Sequence, residues 1–214
     1  MKFSIRLLES DKEISLKIGN ALLPEVRKYM AKVTNKIRSE LPNILEDIIT
    51  NSQTYNDLSR GKLRLELGIP DPVSKILGIL AVWSQNINLV YSPPFVTSSG
   101  TIQTSLTVGI VKSDYSDILG TSYAYVYDNV RGYQLPWLQW LLLEGNKTII
   151  DNYRVSFINS PKSRTGGALM RPSTSSNWSV PNIHAGSIGD NWITRAIDDN
   201  KNTIDKFLQE TLKP

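Results

Sequence analysis

The chain has 214 residues, of which 40% are hydrophobic and 21% charged, a composition typical of a folded globular protein. It has no cysteine and one histidine, His184, which excludes disulfides, cysteine zinc sites and multi-histidine metal sites. The net charge of +4 comes from residues 1–64, which hold 12 basic and 8 acidic residues. A basic surface that meets nucleic acid or an acidic partner is therefore expected in this part.

The first part of the chain predicts a short strand at residues 2–8 and amphipathic helices from Asp11 onward. Apolar residues recur there at three- and four-residue steps, which aligns them on one helix face: Leu22, Val26, Tyr29, Val33 and Ile37. Pro24 and Pro42 each predict either the start of a new helix or a kink in a continuous one.

Basic residues recur at four-residue steps in the same segment. We define the basic face as Arg27, Lys28, Lys32, Lys36 and Arg38. One interpretation is an ordinary solvated helix surface, and the other is a surface turned toward DNA phosphates or an acidic partner. The segment lacks a helix-turn-helix or RNA-recognition motif, so it predicts no reading of base sequence.

The middle and end of the chain predict alternating helices and strands. Asp71 is a predicted cap for a helix from Pro72 to about Gln85, and Asp190 for a last helix over 191–212. An apolar helix is predicted at 135–144, and strands at 87–91, 102–111, 122–128, 153–158 and 167–170. Trp192 is expected to be buried and to anchor the last helix.

These elements predict an α+β fold, with long N-terminal amphipathic helices and a C-terminal helix packed on a mostly antiparallel sheet. We expect a single domain over residues 1–214, with long interface loops at about 92–100 and 172–189.

Few residues indicate a catalytic or ligand-binding function. Glu144 follows an apolar helix, so it is either an exposed helix end or a buried acid with a raised pKa. The segment 164–167 is either an anion-binding nest or, as we favour, a turn between strands. Residues Trp178, Pro181 and His184 predict an exposed loop that binds another protein, because aromatic side chains anchor interfaces. We therefore expect a non-enzymatic structural protein without cofactor or metal.

Three short motifs, in this order, resemble the tail-component or tail-completion proteins of tailed bacteriophages, a group similar to the minor tail protein Z family. The motifs are Ser59-Arg60-Gly61-Lys62-Leu63-Arg64, Gly120-Thr121-Ser122-Tyr123-Ala124-Tyr125-Val126-Tyr127 and Trp192-Ile193-Thr194-Arg195-Ala196-Ile197. Residues 135–143 and 163–166 also resemble segments of virion structural proteins from contractile-tailed phages. The chain departs from the family pattern at Asp128-Asn129-Val130 and at the inserted Arg60.

The resemblance implies a ring-forming, non-enzymatic subunit at the neck of the virion, made in the cytoplasm of the host bacterium. Such a subunit completes the tail or joins it to the head connector; tail terminator and head–tail adaptor are the alternatives within this class. Implied partners are copies of itself, neighbouring neck, connector, tail tube or sheath proteins, and packaged DNA without sequence preference.

A sequence-independent DNA-binding module that uses the basic face is the alternative of another class. A hydrolase or transferase that uses His184 or Glu144 is the third hypothesis. Because no window approaches 18 consecutive apolar residues, we expect no membrane contact.

Overall fold

The computed structural model describes residues 8–85, 87–110, 115–128, 132–145 and 147–213. These residues form eight α-helices: α1 (Asp11–Thr50), α2 (Gln53–Ser59), α3 (Lys62–Glu66), α4 (Pro72–Gln85), α5 (Ser116–Leu119), α6 (Trp137–Leu143), α7 (Trp192–Asp199) and α8 (Lys201–Thr211). They also form six strands: β1 (Asn88–Val96), β2 (Ile102–Gly109), β3 (Val126–Asp128), β4 (Tyr133–Leu135), β5 (Tyr153–Ser156) and β6 (Leu169–Pro172). A short 3₁₀ turn spans Ser122–Ala124. The predicted strand at 2–8 lies outside the described residues, except for Leu8.

The α+β class and the antiparallel pairing of the strands are confirmed, and the described strands form three small sheets rather than one. The described strands form three separate two-stranded antiparallel sheets, which pair β1 with β2, β3 with β4, and β5 with β6. Each sheet pairs strands that follow one another in the chain, so each is a local hairpin. Five of these strands overlap predicted ones, whereas β4 was not predicted and residues 122–124 of the predicted strand at 122–128 form the 3₁₀ turn.

The chain divides into two compact units. The first takes the described residues of Met1–Leu41, Asn88–Ile110 and Phe207–Pro214, and the second takes those of Pro42–Ile87 and Val111–Lys206. We call them unit 1 and unit 2. Each unit is assembled from segments that are distant in the sequence, which explains why no linker marks a boundary between them.

Helix α1 begins with a capping box. Ser10 Oγ accepts a hydrogen bond from the N–H of Glu13, and the Glu13 carboxylate accepts one from the N–H of Ser10. These bonds to Ser10 hold the pKa of Glu13 below its ordinary value. The helix then continues through Pro24 and Pro42 without restarting. Pro24 and its acceptor residue Asn20 are both exposed, so water can hydrate the carbonyl that loses its helix donor.

In unit 1, two glycines let the turn of the β1–β2 hairpin approach α1 closely. A Cβ atom added to Gly19 would lie 2.5 Å from the carbonyl oxygen of Gly100. Gly100 has a φ of +86°, and a Cβ atom there would lie 2.5 Å from the carbonyl carbon of Ser15. Arg27 strengthens the same packing, since its Nε donates to the carbonyl of Pro94 at 3.2 Å. The sequence predicts a loop at 92–100, but residues 92–96 belong to β1, in which the pairing with β2 shifts register between Ser92 and Phe95, and a tight turn follows at 97–101.

Unit 2 buries most of the aromatic and aliphatic side chains that the sequence places in helices. Trp83, Trp137 and Trp192 are all buried, as predicted for Trp192. Trp137 donates its Nε1–H to the carbonyl of Tyr123, which fixes the 3₁₀ turn against α6. The helix α4 begins where predicted, with the N–H of Ser74 directed at the Asp71 carboxylate.

The C-terminal helix differs from the prediction in two ways. It is broken at Asn200 into α7 and α8, and its cap is Asn191 rather than Asp190. Asn191 Oδ1 accepts hydrogen bonds from the N–H groups of Ile193 and Thr194, while Thr194 Oγ1 accepts one from the N–H of Asn191. Asp190 instead pairs with Arg195, which explains why its pKa lies below the ordinary value.

Candidate functional sites

The residues of the basic face are all exposed on unit 1, as a solvated or partner-binding surface requires. At about 100° per residue, Lys28, Lys32 and Lys36 form one row on α1. Arg27 and Arg38 form a second row, about a quarter of the circumference from Lys28. The arginine row is partly engaged through the bond from Arg27 to Pro94.

We call Lys28, Lys32 and Lys36 the lysine row. No carboxylate of the described residues lies within 4.0 Å of these three amines. Consecutive amines are anchored about 6 Å apart along the helix axis, and each is on a flexible stem. This arrangement can neutralise phosphates or carboxylates of a partner without reading a sequence.

His184 lies inside unit 2, where it is 4% exposed, and the expectation that it lies on an exposed loop is wrong. Its Nδ1 lies 3.0 Å from Thr54 Oγ1, and its Nε2 lies 3.2 Å from Asp57 Oδ2. Thr54 and Asp57 are three residues apart on α2, so they present their oxygens from one side of that helix. A neutral imidazole satisfies both contacts, with Nε2–H donating to Asp57 and Nδ1 accepting from the Thr54 hydroxyl.

Burial holds the pKa of His184 below its ordinary value, although the neighbouring Asp57 carboxylate acts in the opposite direction. Arg195 contributes to the lowering as a nearby positive charge. Its guanidinium also donates to the carbonyls on either side of the histidine, those of Ile183 and Ala185. The histidine and Arg195 together fasten residues 183–185 to α2 and α7.

The same three side-chain types occur in hydrolytic triads, in which a hydroxyl, an imidazole and a carboxylate are joined by hydrogen bonds. In this protein, however, Thr54 is 7% exposed, so its hydroxyl is not presented to a substrate. The arrangement fits a structural tie between the loop at 172–189 and α2.

Trp178 is also buried, contrary to the prediction of an exposed aromatic anchor. Its ring packs edge-on against Trp140 with centroids 5.9 Å apart, and its Nε1 is directed at Glu66 Oε2 at 3.4 Å. Partial burial raises the pKa of Glu66 above its ordinary value. Sequence reasoning missed Glu66, because 112 residues separate it from Trp178.

The exposed apolar side chains of this loop are Ile183 and Ile188. Pro181 is half-buried, and its carbonyl accepts hydrogen bonds from the N–H groups of His184 and Ala185 in a tight turn. A partner that meets this loop would therefore contact the two isoleucines rather than Trp178 or His184.

Glu144 ends α6, and the alternative of a raised pKa is wrong. Gln139 and Lys147 both donate to its carboxylate, at 3.0 Å each, and these bonds lower its pKa. Gly145 follows with a φ of +55°, as expected for a residue that ends a helix.

The segment 164–167 forms the predicted turn between β5 and β6. Ser163 Oγ accepts hydrogen bonds from the N–H groups of Thr165 and Ala168, so a side chain of the turn itself occupies these donors. Arg164 reaches the Asp128 carboxylate at 3.2 Å. These contacts explain the conformation of residues 164–167 without a bound anion.

Comparison with known proteins gives no match: no protein-family model, curated protein or solved structure matches the chain. Among the described residues, no cluster of three or more His, Asp or Glu side chains could hold a metal ion. None of the described helices has the length and apolar character needed to cross a membrane.

Proposed function

We propose that this protein is a non-enzymatic structural subunit of a tailed-phage virion, which forms a ring at the neck with copies of itself. The ring completes the tail or joins it to the head connector, and it contacts neck, connector, tube or sheath proteins. Packaged DNA passes it with only sequence-independent contacts to the lysine row.

The observation that carries this proposal is a contrast between interior and surface. In unit 2, the groups most suited to chemistry are engaged in internal contacts, with His184 bonded to Thr54 and Asp57. In unit 1, the lysine row and a hairpin without charged residues are exposed. Exposed features of this kind suit a protein that acts through surfaces between molecules.

The three motifs that resemble tail-completion proteins support the same proposal, because they lie in helices, a turn and a strand that build unit 2. The first joins α2 to α3 and buries Leu63, the second contains the 3₁₀ turn and β3, and the third opens α7 with the buried Trp192.

Mass spectrometry of purified particles of the phage that encodes this chain tests the proposal. We expect the chain at a constant, multiple copy number per particle, and antibody-labelled particles should carry the label at the neck in electron micrographs. Absence of the chain from particles that contain the other neck proteins would refute the proposal.

A sequence-independent DNA-binding module is the second candidate, and the observation that favours it is the exposed lysine row, which has no ion-pair partner among the described residues. It predicts DNA affinity for the free protein outside any particle. The two candidates differ in that a ring subunit also requires association between copies.

A further inference from the structure

The β1–β2 hairpin of unit 1 is unusual in composition. No residue from 76 to 111 is charged, although 21% of the whole chain is. Natural sheets protect their edge strands from pairing with other chains by placing charged residues or prolines on them. Pro93 and Pro94 give β1 such protection over part of its length, but β2 has neither a charge nor a proline.

The outer edge of β2 has no strand partner among the described residues. Within the described part of the chain, its backbone N–H and C=O groups bond only to β1. Side chains on both strands are also exposed to solvent, including those of Val90 and Phe95 on β1, which are 52% and 51% exposed. An eight-residue edge with threonine, valine and leucine is a template for addition of another strand.

We propose that β2 pairs with β1 of a second copy of this chain. This inference rests on the proposed function and names the surface through which the ring forms. An uncharged edge gains backbone hydrogen bonds without burying an unpaired charge, so its favoured partner is an uncharged strand. Every copy carries such a strand, because residues 88–92 of β1 are uncharged and their backbone groups make no hydrogen bond outside the hairpin among the described residues.

The positions of the prolines limit how the copies join. Proline has no N–H to donate, so Pro93 and Pro94 restrict pairing on β1 to about residues 88–92. The contact joins two different edges, β2 of one copy and β1 of the next, and therefore leaves a free edge at each end. Contacts of this head-to-tail type repeat, and they close into a ring when the rotation between copies allows it.

Lysine substitutions on β2 test this proposal. Ser105 and Thr107 are exposed and lie on one face of the strand, so S105K/T107K adds two charges near the contact without disturbing a buried group. Light scattering across a dilution series should show association at least about tenfold weaker than in wild type, because an unpaired charge opposes pairing. The control N20K/N35K adds the same charge at exposed positions of α1 and should associate as wild type does.

Hydrogen exchange of the wild-type protein gives a second measurement that does not depend on a variant. Amides of Ile102–Gly109 should exchange more slowly in the associated state than after dilution to single copies. Association with no added protection in this strand, or a folded S105K/T107K that associates as wild type does, would overturn the inference and leave the proposed function standing. A wild-type protein that never associates would overturn both.

Discussion

Trp192 is a buried residue of unit 2 whose truncation should reduce stability strongly. It is fully enclosed at the start of α7, directly after the Asn191 capping box. We expect Trp192→Ala to lower the free energy of unfolding by about 3–5 kcal/mol, because the cavity forms in a packed interior. Denaturant titration measures this loss.

The exposed Ile188 supplies the control for that experiment, since Ile188→Ala removes apolar atoms that already contact water. Its stability should change by no more than about 0.5 kcal/mol. Equal stabilities for Trp192→Ala and Ile188→Ala would show that Trp192 does not anchor the helix.

His184 predicts a pH dependence of stability. The folded state favours the neutral imidazole, so its stabilisation is present above the pKa of the unfolded chain, about 6.5. As the pH falls below that value, the unfolded chain takes up a proton first and stability decreases. Thermal melts of wild type and His184→Gln, compared from about pH 7 to pH 5, should show a steeper loss in wild type.

His184→Gln is informative because glutamine can both donate and accept a hydrogen bond but does not titrate. Subtracting its pH profile removes the contributions of Glu66 and of the other carboxylates. Parallel profiles for the two proteins would mean that protonation of His184 is not linked to folding.

At the level of elements, the seating of the hairpin on α1 depends on Gly19. Alanine normally stabilises a helix relative to glycine by about 1 kcal/mol. Here Gly19→Ala should destabilise unit 1 instead, because the added methyl group meets the carbonyl oxygen of Gly100. Hydrogen exchange within β1 and β2 should accelerate.

Gly109→Ala is the matched control, since its added methyl group would have only ordinary contacts, the nearest at 3.5 Å from the Asn88 Cβ. It should leave exchange in the hairpin nearly unchanged. A Gly19→Ala protein more stable than wild type would mean that the hairpin turn does not approach α1 in solution.

The lysine row predicts a salt-dependent affinity for DNA. Charge reversal at Lys28, Lys32 and Lys36 should abolish most binding, because the free energy comes from released counterions. Alanine at the same positions should lower the slope of log affinity against log salt by up to about 2.7, at about 0.9 for each phosphate contact. Fluorescence anisotropy with duplexes of unrelated sequence measures both effects.

Charge reversal at Lys162, Lys201 and Lys213 gives a protein of the same net charge in which the lysine row is intact. This control should keep most of the affinity. Equal losses in the two triple variants would attribute binding to overall charge rather than to α1.

Local signals predicted the elements better than they predicted the contacts between distant elements. Asp71 and Pro72 marked the start of α4, and Gly145 marked the end of α6, because caps act within one turn. The burial of His184 could not be predicted in this way, since its partner Thr54 lies 130 residues earlier. Its loop is rich in turn-forming residues, which are usually exposed.

At the scale of the whole molecule, the division into units was also beyond local signals. Each unit combines segments from distant parts of the chain, and no proline- or glycine-rich linker separates them. The sequence does show the charge distribution directly, with the positive excess confined to residues 1–64 and an uncharged segment at 76–111. These two features underlie the proposed surfaces for DNA and for a second copy.

Association between copies is the central requirement of this account, and sedimentation velocity of the wild-type protein over a wide concentration range tests it most directly. We expect the single-copy species to be replaced, as concentration rises, by one larger species of fixed size, as a closed ring requires. A protein that sediments as a single copy at every concentration would contradict the account, and so would one that forms aggregates of ever-increasing size.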